Sequence, residues 1–174
     1  MILTVEECRG LCPGKQDEEI KELLDAIEGV IRAYTNNPFQ VRLARFSAPS
    51  AGGDTLLGSS PYIQADDTIQ ISESGVNDGL YVVVSADDYS TTLDRDLYDV
   101  DHNLVTKIVY PAPVKAVARN LLKWETENRD KVGVKSETIS RHSVTYYDQD
   151  ASNQVMGYPV SLLGGLKPYM RARF

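Results

Sequence analysis

Histidine and cysteine are scarce in this chain, with two of each in 174 residues. His102 and His142 lie far from Cys8 and Cys12, so the four do not form a metal-ligand set of familiar spacing. A Cys-x-x-x-Cys pair alone is a weak metal signal. Two cysteines in a chain expected to be cytoplasmic read as reduced thiols rather than as a disulfide framework. No apolar run reaches the roughly 20 residues of a membrane helix. The N-terminus lacks a basic segment followed by an apolar one, which reads as no secretory signal. Basic residues are nearly absent from the middle of the chain. Between Asp54 and Asp101 there are eleven acidic residues and one basic residue, Arg95. That stretch carries −10, which leaves +3 for the rest of a chain whose total is −7. A protein that tracks phosphates needs a basic face, and the middle segment cannot supply one. The asymmetry points to two structural units with different surfaces.

The motifs of common chemistries are missing too. There is no Gly-x-Ser-x-Gly elbow, no Gly-rich phosphate loop and no His-Glu-x-x-His. Asp99-Val100-Asp101-His102-Asn103 matches the first five positions of an EF-hand loop. The sixth is Leu104 where glycine is needed, and the twelfth is Tyr110 where glutamate is needed. The segment therefore reads as a solvated acidic loop. His102 and His142 read as surface residues. No catalytic residue, metal ligand or cofactor-binding residue is assigned.

What is present is a clear order of periods. Thr4 with Glu7 fits a capping box that opens a short helix, ended near Pro13-Gly14. Ile20, Leu23, Leu24, Ile27, Val30, Ile31 and Tyr34 make a full helical stripe. Asp17, Glu18 and Glu19 sit at its N-terminus, where the helix dipole favours them. Asn36-Asn37-Pro38 stops it. Phe39, Val41 and Leu43 then alternate with Gln40 and Arg42, a strand pattern. Ala48 to Ser60 is rich in Gly, Ser and Pro and reads as a long exposed loop. Thr68 to Val84 reads as a β-hairpin turning at Asn77-Asp78-Gly79. Thr91–Leu93 and Leu104-Val105 add strand candidates.

Helical period returns at Pro111, with Val114, Val117, Ala118, Leu121 and Leu122 as the buried stripe and Trp124 at its flank. Ser136 to Tyr147 is a Ser/Thr/Tyr-rich extended segment, read as a hairpin arm broken at Ser140-Arg141. Asp148 to Asn153 reads as a solvated loop. Pro159 to Leu166 reads as a short apolar helix, broken at Gly164-Gly165. The expected class is α+β. It comprises a small bundle of three to four helices (1–38 with 108–174), an inserted β-rich subdomain (39–107) and a C-terminal β arm. The last residues, Leu166 to Phe174, keep a Tyr, a Met and a Phe among cations, residue types enriched in protein interfaces. Packing of Tyr169 on its own helices is the competing reading.

The order of these elements resembles that of the head–tail connector (adaptor) proteins of long-tailed bacteriophages and prophages. The likeness runs from the N-terminal helices through Asp67–Ile71 and Val76–Val82 to the helix Val114 to Asn128. It closes with Val134–Glu137, Ser143–Tyr146, Leu162-Leu163 and Leu166-Lys167-Pro168-Tyr169. The resemblance implies a non-enzymatic virion subunit that works in viral assembly and DNA packaging. Its copies form a ring, commonly of twelve, under the portal protein and above a tail-proximal completion protein. Double-stranded DNA passes through as cargo, and no membrane or cofactor is involved. The protein would stand in the host cytoplasm during assembly and at the head–tail interface of the virion. It carries over Lys167, Tyr169, Arg171 and Arg173 as portal-side candidates. The β insertion exceeds what minimal helical members need. Two other readings compete. In one, the β subdomain is a binding module for a ligand or protein. In the other, the chain is a small hydrolase or metalloenzyme, which requires His102 or His142 to meet carboxylates in a pocket.

Overall fold

The computed structural model describes residues 1–50, 52–129 and 153–172, together with the backbone of the strands at 136–139 and 142–145. The class is mixed α+β, and the chain divides into two compact units. One unit comprises Pro38–Tyr110 with Met1, the other Ile2–Asn37 with Pro111–Phe174.

In the helical unit, α1 (Val5–Cys8) opens on the expected capping box. The Glu7 amide donates to Thr4 Oγ1 at 3.3 Å and the Thr4 amide to Glu7 Oε2 at 3.2 Å. The helix tightens into a 3-10 turn over Arg9–Leu11, so the two cysteines do not share one regular α-helical face. Both are buried and free. Helix α2 (Asp17–Thr35) buries Ile20, Leu24, Ile27 and Ile31, the centre of its apolar stripe. It also buries Glu28, whose carboxylate accepts the Ile2 amide at 2.9 Å. Burying such a group without a partner would be costly. Asn36 adopts the left-handed conformation (φ 49°) that ends the helix. Helix α3 (Ala112–Asn128) starts with Pro113 in its first turn and buries the expected stripe against α2. Trp124 lies edge-on to Tyr158 at 5.4 Å, and the Arg129 guanidinium covers both rings at 5.1 and 5.4 Å. Helix α4 (Val160–Leu163) does not break at Gly164-Gly165 but passes into a 3-10 helix, Gly164–Tyr169.

The other unit is a six-stranded antiparallel sheet of β1 (Gln40–Ala48), β2 (Thr55–Leu56), β3 (Thr68–Ser72), β4 (Gly79–Ala86), β5 (Thr91–Leu93) and β6 (Asn103–Ile108). Its order is β1-β6-β3-β4-β5-β2. Ser50, just past β1, bridges to Leu56 of β2, so the order closes on itself as a small barrel. Every strand feeds one core: Ala48, Leu56, Ile69, Ile71, Val83, Leu93 and Val105. The hairpin at Thr68 to Val84 is β3 with β4, paired Thr68↔Val82 to Ile71↔Gly79. Gly79 belongs to the strand and Asn77 is buried, so the turn residues do more than turn. Two short two-stranded sheets complete the strands, β7 (Ser136–Ile139) with β8 (His142–Thr145) and β9 (Gln154–Val155) with β10 (Tyr158–Pro159). Ser140-Arg141, the end of the arm at 146–147 and residues 148–152 of the expected loop fall outside the described residues.

Two expectations are corrected here. Ala48 to Ser60 is not an exposed loop. Ala48, Ser50, Leu56 and Ser60 are buried, and the Leu57 amide donates to the Pro49 carbonyl at 2.9 Å. Gly58 is needed for close approach, since a Cβ there would stand 2.8 Å from the Ala48 Cβ. Gly58 is small for packing, whereas Gly52 and Gly53 use glycine's freedom to take positive φ (78° and 62°). The alternation at Phe39–Leu43 also fails to bury one face. The register with β6 jumps from Gln40↔Ile108 to Arg45↔Thr106, and this bulge turns Leu43 outward, 91% exposed.

Candidate partner-binding surface

The C-terminal segment is tied down by main-chain groups. Leu163 and Leu166 are fully buried, which docks the 3-10 helix on the helical unit. Gly165 permits that approach, because a Cβ at this position would lie 3.0 Å from Val117 Cγ2. Beyond the 3-10 helix the chain runs along the end of α2. The Arg171 amide donates to the Thr35 carbonyl at 2.8 Å. Asn37 Nδ2 donates to the Tyr169 carbonyl and Asn36 Nδ2 to the Ala172 carbonyl, each at 3.0 Å. The last carbonyls of a helix have no partner within it, and the strap satisfies one of them. The negative end of the helix dipole also favours a nearby cation.

This strap presents an outward row. Lys167 and Arg171 are exposed, Met170 is 51% exposed, and Tyr169 is half-buried. Three of the four sequence-predicted residues, Lys167, Tyr169 and Arg171, therefore share one anchored segment. Arg173 lies outside the described residues. The sequence reading took Asn36-Asn37 only as a helix stop, and both turn out to hold the strap. Their signal was present, since asparagine favours both the left-handed cap and side-chain bonding to nearby backbone. Its partner was not, being more than 130 residues away.

The β unit contains a constellation that the sequence did not show. Ser47 Oγ and His102 Nδ1 share a hydrogen bond of 2.9 Å, and His102 Nε2 stands 3.9 Å from Glu73 Oε2. Serine, histidine and glutamate in series have the composition of a nucleophilic triad. The geometry falls short, because 3.9 Å is beyond hydrogen-bond reach and a triad needs its base oriented by the acid. The His102 and Glu73 side chains are 53% and 67% exposed, where water competes for every contact. His142 has no described side chain.

The remaining reactive groups have structural partners. Burial pushes the Cys8 thiol upward, with the neighbouring Cys12 adding to the effect. Cys12 Sγ lies 3.7 Å from Thr126 Oγ1. Asp94 accepts the Val82 amide at 2.9 Å, and Arg95 covers the Tyr81 ring at 4.6 Å. Among the described residues, no three His, Cys, Asp or Glu side chains gather as a metal-binding group, and no helix is long and apolar enough to cross a membrane. No protein-family model and no curated protein matches the chain.

Proposed function

We propose that this protein is a structural head–tail connector subunit of a long-tailed bacteriophage or prophage. Its helical bundle forms a ring, of twelve copies in the virion, below the portal. The inserted β-rich subdomain and the C-terminal β arm are carried on that ring. The subunit is not an enzyme and binds no cofactor. Its partners are its own copies, the portal protein above and a tail-proximal completion protein below, with double-stranded DNA passing as cargo. Assembly takes place in the host cytoplasm.

The observation that carries this reading is the C-terminal strap. Residues 169–172 are held on the end of α2 by three hydrogen bonds to Thr35, Asn36 and Asn37, and Lys167, Met170 and Arg171 are exposed. Arginine, methionine and tyrosine on a pre-ordered segment fit an interface that loses little entropy on docking. The acidic middle segment is compatible with DNA as cargo, since carboxylates along a channel repel phosphates.

The test is the mass of the purified protein alone and after mixing with portal protein. A ring-sized species or a stoichiometric portal complex is expected, and Arg171→Glu should weaken the portal complex about tenfold or more. A monomer that ignores the portal at every concentration would sink the proposal.

A further inference from the structure

The two most exposed large hydrophobic side chains among the described residues are Leu43 (91%) and Tyr89 (84%). Both belong to the β unit and lie on different elements of it; the 59–63 segment runs between them, with Tyr62 on the Leu43 side and Pro61 and Ile63 beside Asp87 and Asp88. Leu43 lies in β1. Tyr89 lies in the β4–β5 turn. In the closed order β1-β6-β3-β4-β5-β2, β4 is three strands from β1 in either direction.

The Leu43 side is concave. The bulge in β1 opens a groove of about 470 Å³ lined by Val41, Leu43, Ala44, Tyr62, Lys107 and Val109. Its lining is mostly apolar, and Tyr62 (65%) and Val109 (48%) are exposed with Leu43. The charge around it is positive. Lys107 is paired with Asp67 at 2.6 Å. Arg42 and Arg45 flank Leu43 and are exposed, and Arg45 donates to Thr106 Oγ1 at 2.9 Å and to Gln40 Oε1 at 3.4 Å.

The Tyr89 turn is held by its own hydrogen bonds. Asp87 Oδ1 accepts the amides of Tyr89 (2.8 Å) and Ser90 (2.7 Å), and Asp87 Oδ2 accepts from Ser90 Oγ at 3.0 Å. The Asp87 amide donates back to the Ser90 carbonyl at 3.0 Å. These bonds, the Tyr89 amide first, hold the Asp87 carboxyl below the usual range. The turn thus carries two carboxylates, those of Asp87 and Asp88, beside a Tyr89 side chain that is 84% exposed.

We infer that the Tyr89 turn of one copy seats in the Leu43 groove of the next, a head-to-tail contact between β units. The match is of shape and of charge. Tyrosine is among the residue types that dominate interface energetics when they enter a desolvated pocket, and the turn that carries Tyr89 is held by its own hydrogen bonds. Asp87 and Asp88 meet Arg42 and Arg45 across the rim, which fixes orientation and speeds encounter. A knob and a groove are different surfaces, so the contact is heterologous, and repetition gives a closed ring or an open helix according to the rotation per copy. The inference deepens the connector reading and rests on it for ring closure. The contact itself does not need the portal.

Cysteine variants read the contact even when it is weak, because the native thiols are buried. Leu43→Cys and Tyr89→Cys chains are mixed and treated with diamide at the highest attainable concentration. From an equimolar mixture, a disulfide-linked 43–89 heterodimer well above the roughly twofold excess over each homodimer that random pairing gives is expected. A heterodimer at or below that random share would overturn the inference. A second measurement uses sedimentation. Tyr89→Ala should weaken self-association roughly thirtyfold, about 2 kcal/mol. Leu43→Asp blocks the groove only and Tyr89→Asp blocks the knob only, so their mixture should stop at a dimer. A mixture that assembles like the unaltered chain would also overturn it. The two readings separate cleanly. Portal binding without the 43–89 link removes this contact and leaves the connector, and the link without portal binding does the reverse.

Discussion

Asn77→Ala should destabilise the β unit by about 3 kcal/mol, because Asn77 is the hub of a buried polar network. Its side chain is 2% exposed. Nδ2 donates to the Tyr98 carbonyl at 2.9 Å and to Asn103 Oδ1 at 3.1 Å, and Oδ1 accepts the Tyr98 amide at 2.8 Å. Asn103 is fully buried and donates in turn to the Ala48 carbonyl at 3.1 Å. Removing Asn77 leaves the Tyr98 carbonyl with Ser50 Oγ at 2.7 Å. It strands the Tyr98 amide and Asn103 Oδ1. Each stranded group costs roughly 1–3 kcal/mol, the buried amide oxygen more than the part-buried amide. For a unit of this size that is a fall of roughly 12 °C or more in Tm. The single tryptophan, Trp124, lies in the helical unit. Urea unfolding of the β unit is therefore followed by circular dichroism, with Trp124 fluorescence as the control. Asn103→Ala adds a second check. The double variant should cost about 1 kcal/mol less than the sum of the singles, since Asn77→Ala has already stranded Asn103 Oδ1. Strict additivity, or a loss for Asn77→Ala under about 1 kcal/mol, would refute the network as described.

Three further outcomes can be checked on the same protein. Burial, and then the Glu125 carboxylate, push the Tyr158 phenol from 10.0 up to about 12, with Arg129 opposing. The folded chain thus holds this proton more tightly than the unfolded one, so stability should fall as pH rises from 10.0 towards 12, by on the order of 2 kcal/mol. Tyr158→Phe should flatten that fall in urea titrations, and an unchanged slope would disprove the shift. Glu28→Leu strands the Ile2 amide and should cost about 2 kcal/mol by Trp124 fluorescence, whereas Glu28→Gln keeps an acceptor and should cost much less; equal losses would count against the hydrogen bond. Leu56→Ala should cost about 2–5 kcal/mol because Leu56 fills the barrel core, while a change within about half a kcal/mol would return Thr55–Leu56 to an exposed loop.

The sequence alone determined what depends on neighbours along the chain. Helices α2 and α3 were legible because burying one face of a helix imposes a 3.6-residue period. The Thr4 capping box and the β3–β4 hairpin were legible for the same local reason. So were Lys167, Tyr169 and Arg171 as an unusual cluster of residue types. Tertiary structure decided everything that rests on pairing between distant segments. Ala48 to Ser60 reads as a loop because composition cannot report that Gly58 faces Ala48, or that Leu56 meets β5. Leu43 faces out because a bulge against β6, more than 60 residues on, resets a period-two pattern that continues unbroken in the sequence. Ser47, His102 and Glu73 meet only because β1 and the ends of β3 and β6 are neighbours in the sheet. The strap could not be anticipated for the same reason. Its cations are visible in the sequence, but the groups that hold them in place are the open carbonyl of Thr35 and the amides of Asn36 and Asn37, brought there by folding.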